Sequence, residues 1–189
     1  MTGQPGSGSR TIVLALGSNL GDRLGNLQQG IDSLAAGLRA VAVSGVFETA
    51  PVGGPAQGDY LNAVLLARSA LSARAILARC AAAETAAGRV RTVRFGPRTL
   101  DVDIITCGAE RSADADLTLP HPRAHERAFV LAPWLDVEPA AVLPGFGPIA
   151  DLLAAMPMAG VCRRPDLRLM LPGGERSAPD AARAVTPCT

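Results

Sequence analysis

The stretch Thr11-Ile-Val-Leu-Ala-Leu16 is an unbroken apolar run that ends at the turn residues Gly17-Ser-Asn19. Short apolar runs closed by such residues are typical of buried β-strands. Beyond the turn, apolar residues recur at spacings of three and four, the pattern of an amphipathic helix; they are Leu24, Leu27, Ile31, Leu34 and Leu38. The fold is therefore predicted to begin with a buried strand followed by an amphipathic helix.

Further strands and a second helix follow along the chain. Repeated Pro and Gly residues indicate a loop over 49–58, and Ser72 is suited to cap a helix that runs to about Ala87. The order β-α-β-β-α-β indicates an α+β fold with a ferredoxin-like core. The remaining predicted elements are strands over 41–48, 60–67 and 99–106, C-terminal helices near 125–135 and 149–155, and a short last strand at 167–171.

Length and composition limit the classes of function. The 189 residues are 48% hydrophobic and 19% charged, which is typical of one globular domain with a proper core. A formal net charge of +1 supplies no basic field for holding nucleic acid. All eighteen basic residues are arginine, so lysine Schiff-base chemistry and the lysine of a phosphate-binding loop are both excluded.

The termini and the cysteines bear on domain limits and location. The Gly-, Ser- and Pro-rich residues 1–9 and the small-residue stretch 173–189 are expected to be disordered tails around a domain at 10–172. Neither a signal peptide nor a membrane-spanning run is visible. The four cysteines are far apart and form no C-x-x-C pair, so we expect reduced cysteines in a cytoplasmic protein.

Two aspartates, Asp101 and Asp103, lie in the apolar run that forms the last core strand. Residues i and i+2 of a strand face the same side, so the two carboxylates are expected side by side, roughly 6–7 Å apart at Cα. Two such acids on a half-buried face repel each other and lose hydration. A hard divalent metal is the natural candidate to offset their charge. The upstream loop Gly88–Arg98 carries four arginines, which suit the phosphates that such a metal would bring.

Seven segments follow one another in unbroken order over about residues 11–155: Leu16-Gly-Ser-Asn-Leu-Gly-Asp22, Glu48-Thr-Ala-Pro-Val-Gly53, Asp59-Tyr-Leu-Asn-Ala63, Gly88-Arg-Val-Arg91, Arg94-Phe-Gly-Pro-Arg-Thr-Leu-Asp-Val-Asp-Ile104, Leu119-Pro-His-Pro122 and Glu126-Arg-Ala-Phe-Val-Leu131. Together they resemble the 6-hydroxymethyl-7,8-dihydropterin pyrophosphokinase family of folate biosynthesis. The fifth segment is highly specific for that family.

The resemblance implies a reaction in which ATP donates its β,γ-pyrophosphoryl group to the hydroxymethyl oxygen of the pterin and AMP leaves. It implies a ferredoxin-like α/β sandwich in which Asp101 and Asp103 hold two Mg²⁺ ions. Arg91 and Arg98 match positions that grip the phosphates, and with the two aspartates they form the implied catalytic set. Arg89 is expected to support the loop. We expect a monomer, or at most a weak homodimer, without nucleic-acid or membrane partners.

The resemblance also implies how the two substrates are held. Glu84, His121 and Arg127 match positions near ATP. Two aromatic rings would sandwich the flat pterin while an asparagine amide pairs with its edge. The implied pterin-binding residues are Thr49, Val52, Tyr60, Asn62, Phe95 and Phe129. Phe95 stands where many members have tryptophan, so we expect the loop to close with weaker packing over the pterin.

Two other classes of function share some of these features. A metal-dependent nucleotide-sugar transferase could use the same Asp-x-Asp device, but the aromatic pocket of Tyr60, Asn62 and Phe129 would serve no purpose for a sugar. An RNA-binding ferredoxin-like domain would need exposed aromatics on a basic sheet. The strands of this chain carry acids and aliphatic residues instead.

Overall fold

A computed structural model describes residues 8–51, 53, 55–89, 96–158 and 160–173 of the chain. The element order begins β-α-β-β-β-α-β and continues with short hairpins and two further helices. The elements are β1 Arg10–Ser18, α1 Arg23–Ala35, β2 Arg39–Val43, β3 Val46–Thr49, β4 Tyr60–Ser69, α2 Ala73–Ala86, β5 Asp101–Cys107, β6 Ser112–Asp114, β7 Leu117–Leu119, a 3-10 helix Ala124–Glu126, α3 Ala128–Val137, β8 Val142–Leu143, β9 Gly147–Pro148, α4 Ile149–Ala154 and β10 Val161–Arg164.

One antiparallel sheet organises the molecule. Its strand order is β10-β3-β4-β1-β5, and β2 pairs with the other half of β4. When β2 and β3 are counted as one interrupted strand, β5, β1, β4 and β2/β3 have the arrangement of a ferredoxin-like sheet. The prediction of an α+β fold with this core is confirmed, and β10 extends the sheet by one strand at the β3 edge.

Helices cover both faces of the sheet. Alternate residues of β1 separate the two cores, since Ile12 and Leu14 belong to the core beneath α1 and α2 whereas Val13 belongs to the core beneath α3 and α4. The predicted cap Ser72 is the N-cap of α2, and at the start of α1 Asp22 accepts a hydrogen bond from the Gly25 amide. A cavity opens on the α3 face.

The strand predicted over 41–48 is interrupted. Ser44 and Gly45 separate β2 from β3, and the Ser44 hydroxyl accepts a hydrogen bond from the Val64 amide at 2.9 Å. A carboxylate oxygen of Asp136, an α3 residue only 4% exposed, accepts another from the Gly45 amide at 2.8 Å. Because of this break, β2 and β3 pair with separate parts of β4. The only sign of it in the sequence is a Ser-Gly pair inside an apolar run.

The last strand was expected at 167–171, and that prediction is wrong. The strand is β10, at Val161–Arg164, and 167–171 has no strand pairing. Leu169 and Leu171 explain the misleading alternation, because both are buried in the core of α1 and α2 without belonging to the sheet. The helix predicted near 125–135 is a 3-10 turn followed by α3.

The cysteines divide into two groups. Cys80 and Cys107 are free and buried, as expected, and burial raises the pKa of the Cys80 thiol to about 12. Cys162 is disulfide-bonded, so the expectation of reduced cysteines is wrong at this position. That expectation was based on the wide spacing of the cysteines in the sequence. Separation in sequence does not determine distance in the folded chain. Among the helices of the described part, none has the length and hydropathy to cross a bilayer.

Candidate active site

A cavity of about 520 Å³ lies over the middle of the sheet on the α3 side. The strand register sets out its floor. Gly17 of β1 pairs with Asn62 on β4 and with Asp101 on β5. Two residues away on the same face of β1, Ala15 pairs with Asp103. Glycine and alanine therefore occupy the centre of the floor, and larger functional side chains stand on either side of it.

Asp101 and Asp103 both line this cavity. Val102 and Ile104, which alternate with them, are buried in the opposite core beneath α1 and α2. The prediction that the two carboxylates share one face of the strand is confirmed. Both acids are half-buried, so their charge must be offset by neighbouring groups.

Two arginines bracket the carboxylate of Asp101. Arg89 Nη1 donates to one oxygen at 2.6 Å, and Arg98 Nη1 donates to the other. Burial opposes the charge of Arg98, but the charge and hydrogen bond of Asp101 raise its pKa overall. Arg98 therefore reaches the cavity as a fixed cation. A second tie positions its backbone, because the Arg98 amide donates to Asn19 Oδ1 at 2.7 Å.

Asp103 faces the other side of the cavity, toward the segment that leads into α3. Arg127 Nη1 donates to Asp103 Oδ2 at 3.1 Å, and His121 Nε2 lies 3.8 Å from the same oxygen. Burial lowers the pKa of His121, which favours the neutral imidazole. The Arg123 amide donates to His121 Nδ1, and in the neutral tautomer that accepts this bond the ring proton is on Nε2, which lies near Asp103 and 3.4 Å from Arg127 Nη1.

The charges of the two aspartates are thus offset by guanidinium groups. A divalent metal is therefore not required to explain why two acids lie side by side, and the repulsion between them is no longer an argument for a metal site. The donor set still suits Mg²⁺, which is held in proteins by one or two carboxylates together with substrate phosphates and water. No cluster of three or more His, Cys, Asp or Glu side chains occurs within the described residues, so a dedicated protein cage is absent from that part of the chain.

The other end of the cavity is aromatic and amide-bearing. Tyr60 and Asn62 share a face of β4, as predicted, and Phe129 lines the same cavity from α3. Asn62 Nδ2 donates to Thr49 Oγ1 at 2.9 Å, a buried bond that fixes the amide. Burial raises the pKa of Tyr60, so its phenol stays protonated. Arg127 lies over the Phe129 ring, with Cζ 5.6 Å from the centroid, and links the two ends of the site.

Glu84 is placed behind the site and not in the lining of the cavity. It is 7% exposed on α2, and its Oε1 accepts from the Val102 amide at 2.9 Å and from Arg89 Nη1. The carboxylate therefore anchors β5 and orients the arginine that contacts Asp101. A contact between Glu84 and nucleotide, implied by the resemblance, finds no counterpart in this position.

Most of the residues proposed from sequence meet in this one cavity. The structure brings together Thr49, Tyr60, Asn62, Arg98, Asp101, Asp103, His121, Arg127 and Phe129. Val52, Arg91 and Phe95 lie outside the described residues. Reasoning from sequence missed the contact of Arg89 with Asp101 and the role of Gly17 as open floor. The latter carried a signal, because a glycine directly after a buried strand marks a close approach.

A family model described as 7,8-dihydro-6-hydroxymethylpterin-pyrophosphokinase (HPPK) matches residues 13–139. The chain belongs to this family. A Mycobacterium tuberculosis protein named 2-amino-4-hydroxy-6-hydroxymethyldihydropteridine pyrophosphokinase is 45% identical over 174 residues, covering 85% of this chain and 90% of the relative. A Mycobacterium leprae protein of the same name is 48% identical over 143 residues, covering 70% of this chain and 74% of the relative.

Solved structures support the same fold for this HPPK-family chain. A Plasmodium falciparum HPPK-DHPS crystal structure matches with a TM-score of 0.60 at 11% identity over 78% of this chain. The match covers 44% of that longer chain, so this chain spans less than half of the HPPK-DHPS protein. At such low identity the likeness concerns the fold alone.

Proposed function

We propose that this chain transfers the β,γ-pyrophosphoryl group of ATP to the hydroxymethyl oxygen of 6-hydroxymethyl-7,8-dihydropterin and releases AMP, a step of folate biosynthesis. One observation carries the proposal: Asp101 and Asp103 stand side by side at one end of a cavity whose other end holds Tyr60, Asn62 and Phe129. Family membership supports the same reaction. The sugar-transferase alternative is not supported, because neither the family nor the aromatic end suits it.

At the acidic end, Asp101 and Asp103 would hold magnesium, and we propose two ions as the resemblance implied. Magnesium bound there would screen the charge of the triphosphate and orient it. The aspartates would supply fixed oxygen ligands on one rigid strand. Their position at the end of β5, which is hydrogen-bonded to β1, keeps that geometry constant during the reaction.

The arginines would stabilise the charge that develops on phosphate oxygens. Arg98 and Arg127 are hydrogen-bonded to the aspartates and lie within the cavity lining, so each can turn one N–H toward a phosphate without moving far. We keep the proposal that Arg91 contributes as well, on the resemblance. His121, with its Nε2 proton aimed at the same space, would donate to a phosphate oxygen. Catalysis of this kind is mostly positioning and electrostatics.

The pterin would occupy the aromatic end. Tyr60 and Phe129 would contact its faces, and Asn62, held by Thr49, would pair with its edge. Val52 and Phe95 are proposed to complete this pocket on the resemblance alone. A general base for the hydroxymethyl group is not assigned, since every carboxylate that lines the acidic end is already committed to arginine or to metal.

Three further statements accompany this proposal. Residues 10–172 would form the catalytic domain, flanked by tails at 1–9 and 173–189. The enzyme would act as a monomer, because one chain supplies both ends of the cavity. A cytoplasmic location is favoured by the use of ATP as donor.

The test is a product assay with protein, ATP, magnesium and hydroxymethyldihydropterin. We expect AMP in equal amount to pyrophosphorylated pterin, and no AMP when either magnesium or pterin is left out. Asp101→Ala and Asp103→Ala should abolish turnover, whereas Asp114→Ala, on the exposed strand β6, should not. ADP as the nucleotide product would contradict the proposal.

A further inference from the structure

Strand β10 borders the end of the cavity that lies farthest from the aspartates. Pro157, Gly160 and Val161 belong to the cavity lining, and Val161 pairs with Thr49 of β3. Thr49 in turn fixes the amide of Asn62. The C-terminal segment is therefore adjacent to the groups that would read the edge of the pterin.

Ion pairs hold β10 in place on both of its faces. Arg163 reaches the buried Asp136 of α3, with Nη2 3.4 Å from Oδ1. Arg164 faces the opposite side and bonds to Glu48 of β3. Because β10 is held by ion pairs on both faces and is paired with β3 along its length, it forms a rigid wall of the cavity (the β10 wall) and is not expected to shift to accommodate a ligand.

The chemistry of the substrate decides which of its atoms approach this wall. The hydroxymethyl group of a pterin is on C6, and the exocyclic amine is on C2, at the opposite end of the bicycle. With the hydroxymethyl oxygen near Asp101 on β5, the ring extends across β1 toward Asn62 on β4, about 10 Å away at two strand spacings. The amine then points toward Thr49 of β3, whose partner on the neighbouring strand β10 is Val161.

The wall is not part of the stretch that defines the family. The family model ends at residue 139, well before β10 begins at Val161. Residues of the acidic end and the aromatic pocket all fall inside the matched range. The β10 wall therefore lies outside the stretch that the family model describes.

We infer that Val161 is a specificity-determining residue, which limits the size of substituents on the 2-amino group of the pterin by closing the cavity beyond Thr49. The inference rests on the proposed function, since it uses the direction in which that reaction places the ring. Val161 is half-buried against the core of α3, so its side chain cannot simply turn away from a bulky ligand.

The experiment compares the parent substrate with the same pterin carrying one methyl group on its exocyclic amine. Both are measured by kcat/KM and by equilibrium titration in the presence of magnesium and a non-hydrolysable ATP analogue. Wild type should discriminate against the methylated pterin, and Val161→Ala should reduce that discrimination about tenfold, the usual effect of one methylene in an apolar pocket. Val161→Leu should increase it. Val142→Ala, at an exposed valine of β8 outside the lining, is the matched control.

The outcomes separate the inference from the proposed function. Restored use of the methylated pterin by Val161→Ala, with unchanged discrimination in Val142→Ala, supports the inference. Equal discrimination in wild type, Val161→Ala and Val161→Leu overturns it while turnover of the parent substrate still supports the reaction. Failure of wild type to form AMP from the parent substrate overturns both. Thermal unfolding of each variant establishes that the compared proteins are folded.

Discussion

Gly17 lies so close to Asn62 that a Cβ atom at position 17 would stand 3.3 Å from the asparagine Oδ1. The two residues are paired across β1 and β4, and the missing side chain keeps the cavity floor open between the amide and the aspartates. No positive backbone angle explains this glycine. It is required by space alone.

Gly17→Ala should therefore weaken pterin binding by about 1–3 kcal/mol, the usual cost of inserting an extra carbon into a packed site. The affinity for pterin would be measured by titration, with circular dichroism as a check on folding. Gly58→Ala is the control, because its Cβ would lie at an ordinary 3.8 Å from the Asn19 carbonyl oxygen. Wild-type pterin affinity in Gly17→Ala would show that the floor is not in contact with ligand.

Arg98→Ala should slow the chemical step, because it removes a cation held against Asp101 within the cavity. We expect a barrier higher by about 3 kcal/mol, as found when one charge-stabilising donor is lost. Single-turnover AMP formation would measure it. The control is Arg74→Ala, whose guanidinium is 60% exposed and pairs with Asp114 and Asp116 on the surface. Equal rate constants for the two variants would argue against a catalytic Arg98.

Asp103→Asn keeps the shape of the side chain but removes one negative charge from the proposed metal site. The magnesium concentration for half-maximal AMP formation should rise, and turnover should fall even at saturating metal. Chelation of the metal should stop the wild-type reaction completely. Asp114→Asn, an exposed acid on β6, should leave the magnesium dependence unaltered. A magnesium response in Asp103→Asn that overlays wild type would exclude this aspartate as a ligand.

Glu84 and Arg89 form a buried pair, with each side chain 9% exposed. Glu84→Gln removes the charge of one partner while Asp101 still pairs with Arg89, so it should lower the free energy of unfolding by about 1–3 kcal/mol, the range for a hydrogen bond to a charged group. If Glu84 acts through Arg89, a double-mutant cycle with Arg89→Ala should show strong coupling in both stability and turnover. The exposed pair Arg74–Asp114 is screened by solvent and should contribute little to stability, so it serves as the control. Additive effects of the two changes would point to separate roles.

Glu48 should make stability depend on pH. Burial opposes ionisation, but hydrogen bonds from Arg23 and Arg164 outweigh it and lower the pKa of Glu48 below the ordinary 4.5. The stabilising contribution is then complete above the unfolded value and is lost as the pH falls through the folded value. The free energy of unfolding of wild type, measured with urea, should decrease as the pH falls below about 4.5, the ordinary pKa of this group. Glu48→Gln should be less stable than wild type at neutral pH, and its free energy of unfolding should change less with pH over this range. Parallel profiles would contradict the assignment.

Local patterns predicted those parts of the fold and site that depend on near neighbours. Side-chain alternation predicted that Asp101 and Asp103 share one face, and the cap at Ser72 followed from hydrogen-bonding chemistry within one helical turn. These features need no knowledge of the remaining chain, because period and capping are properties of a single element.

Features that depend on distant parts of the chain were not predicted. The pairing of Arg89 with Asp101 depends on how the end of α2 lies against β5, and the hydrogen bond from the Gly45 amide to Asp136 joins residues 91 positions apart. Strand β10 was missed for a related reason. Its two arginines interrupt any apolar alternation, and it is a strand only because the edge of β3 is available to it.

The sheet places the acids on β5 and the C-terminal wall on β10, at opposite edges. Substitutions on one edge strand can therefore accumulate with little effect on the positions of side chains on the other. Lineages could broaden or narrow their tolerance for modified substrates, or for antifolate compounds built on the same ring, while the phosphorus chemistry stayed untouched.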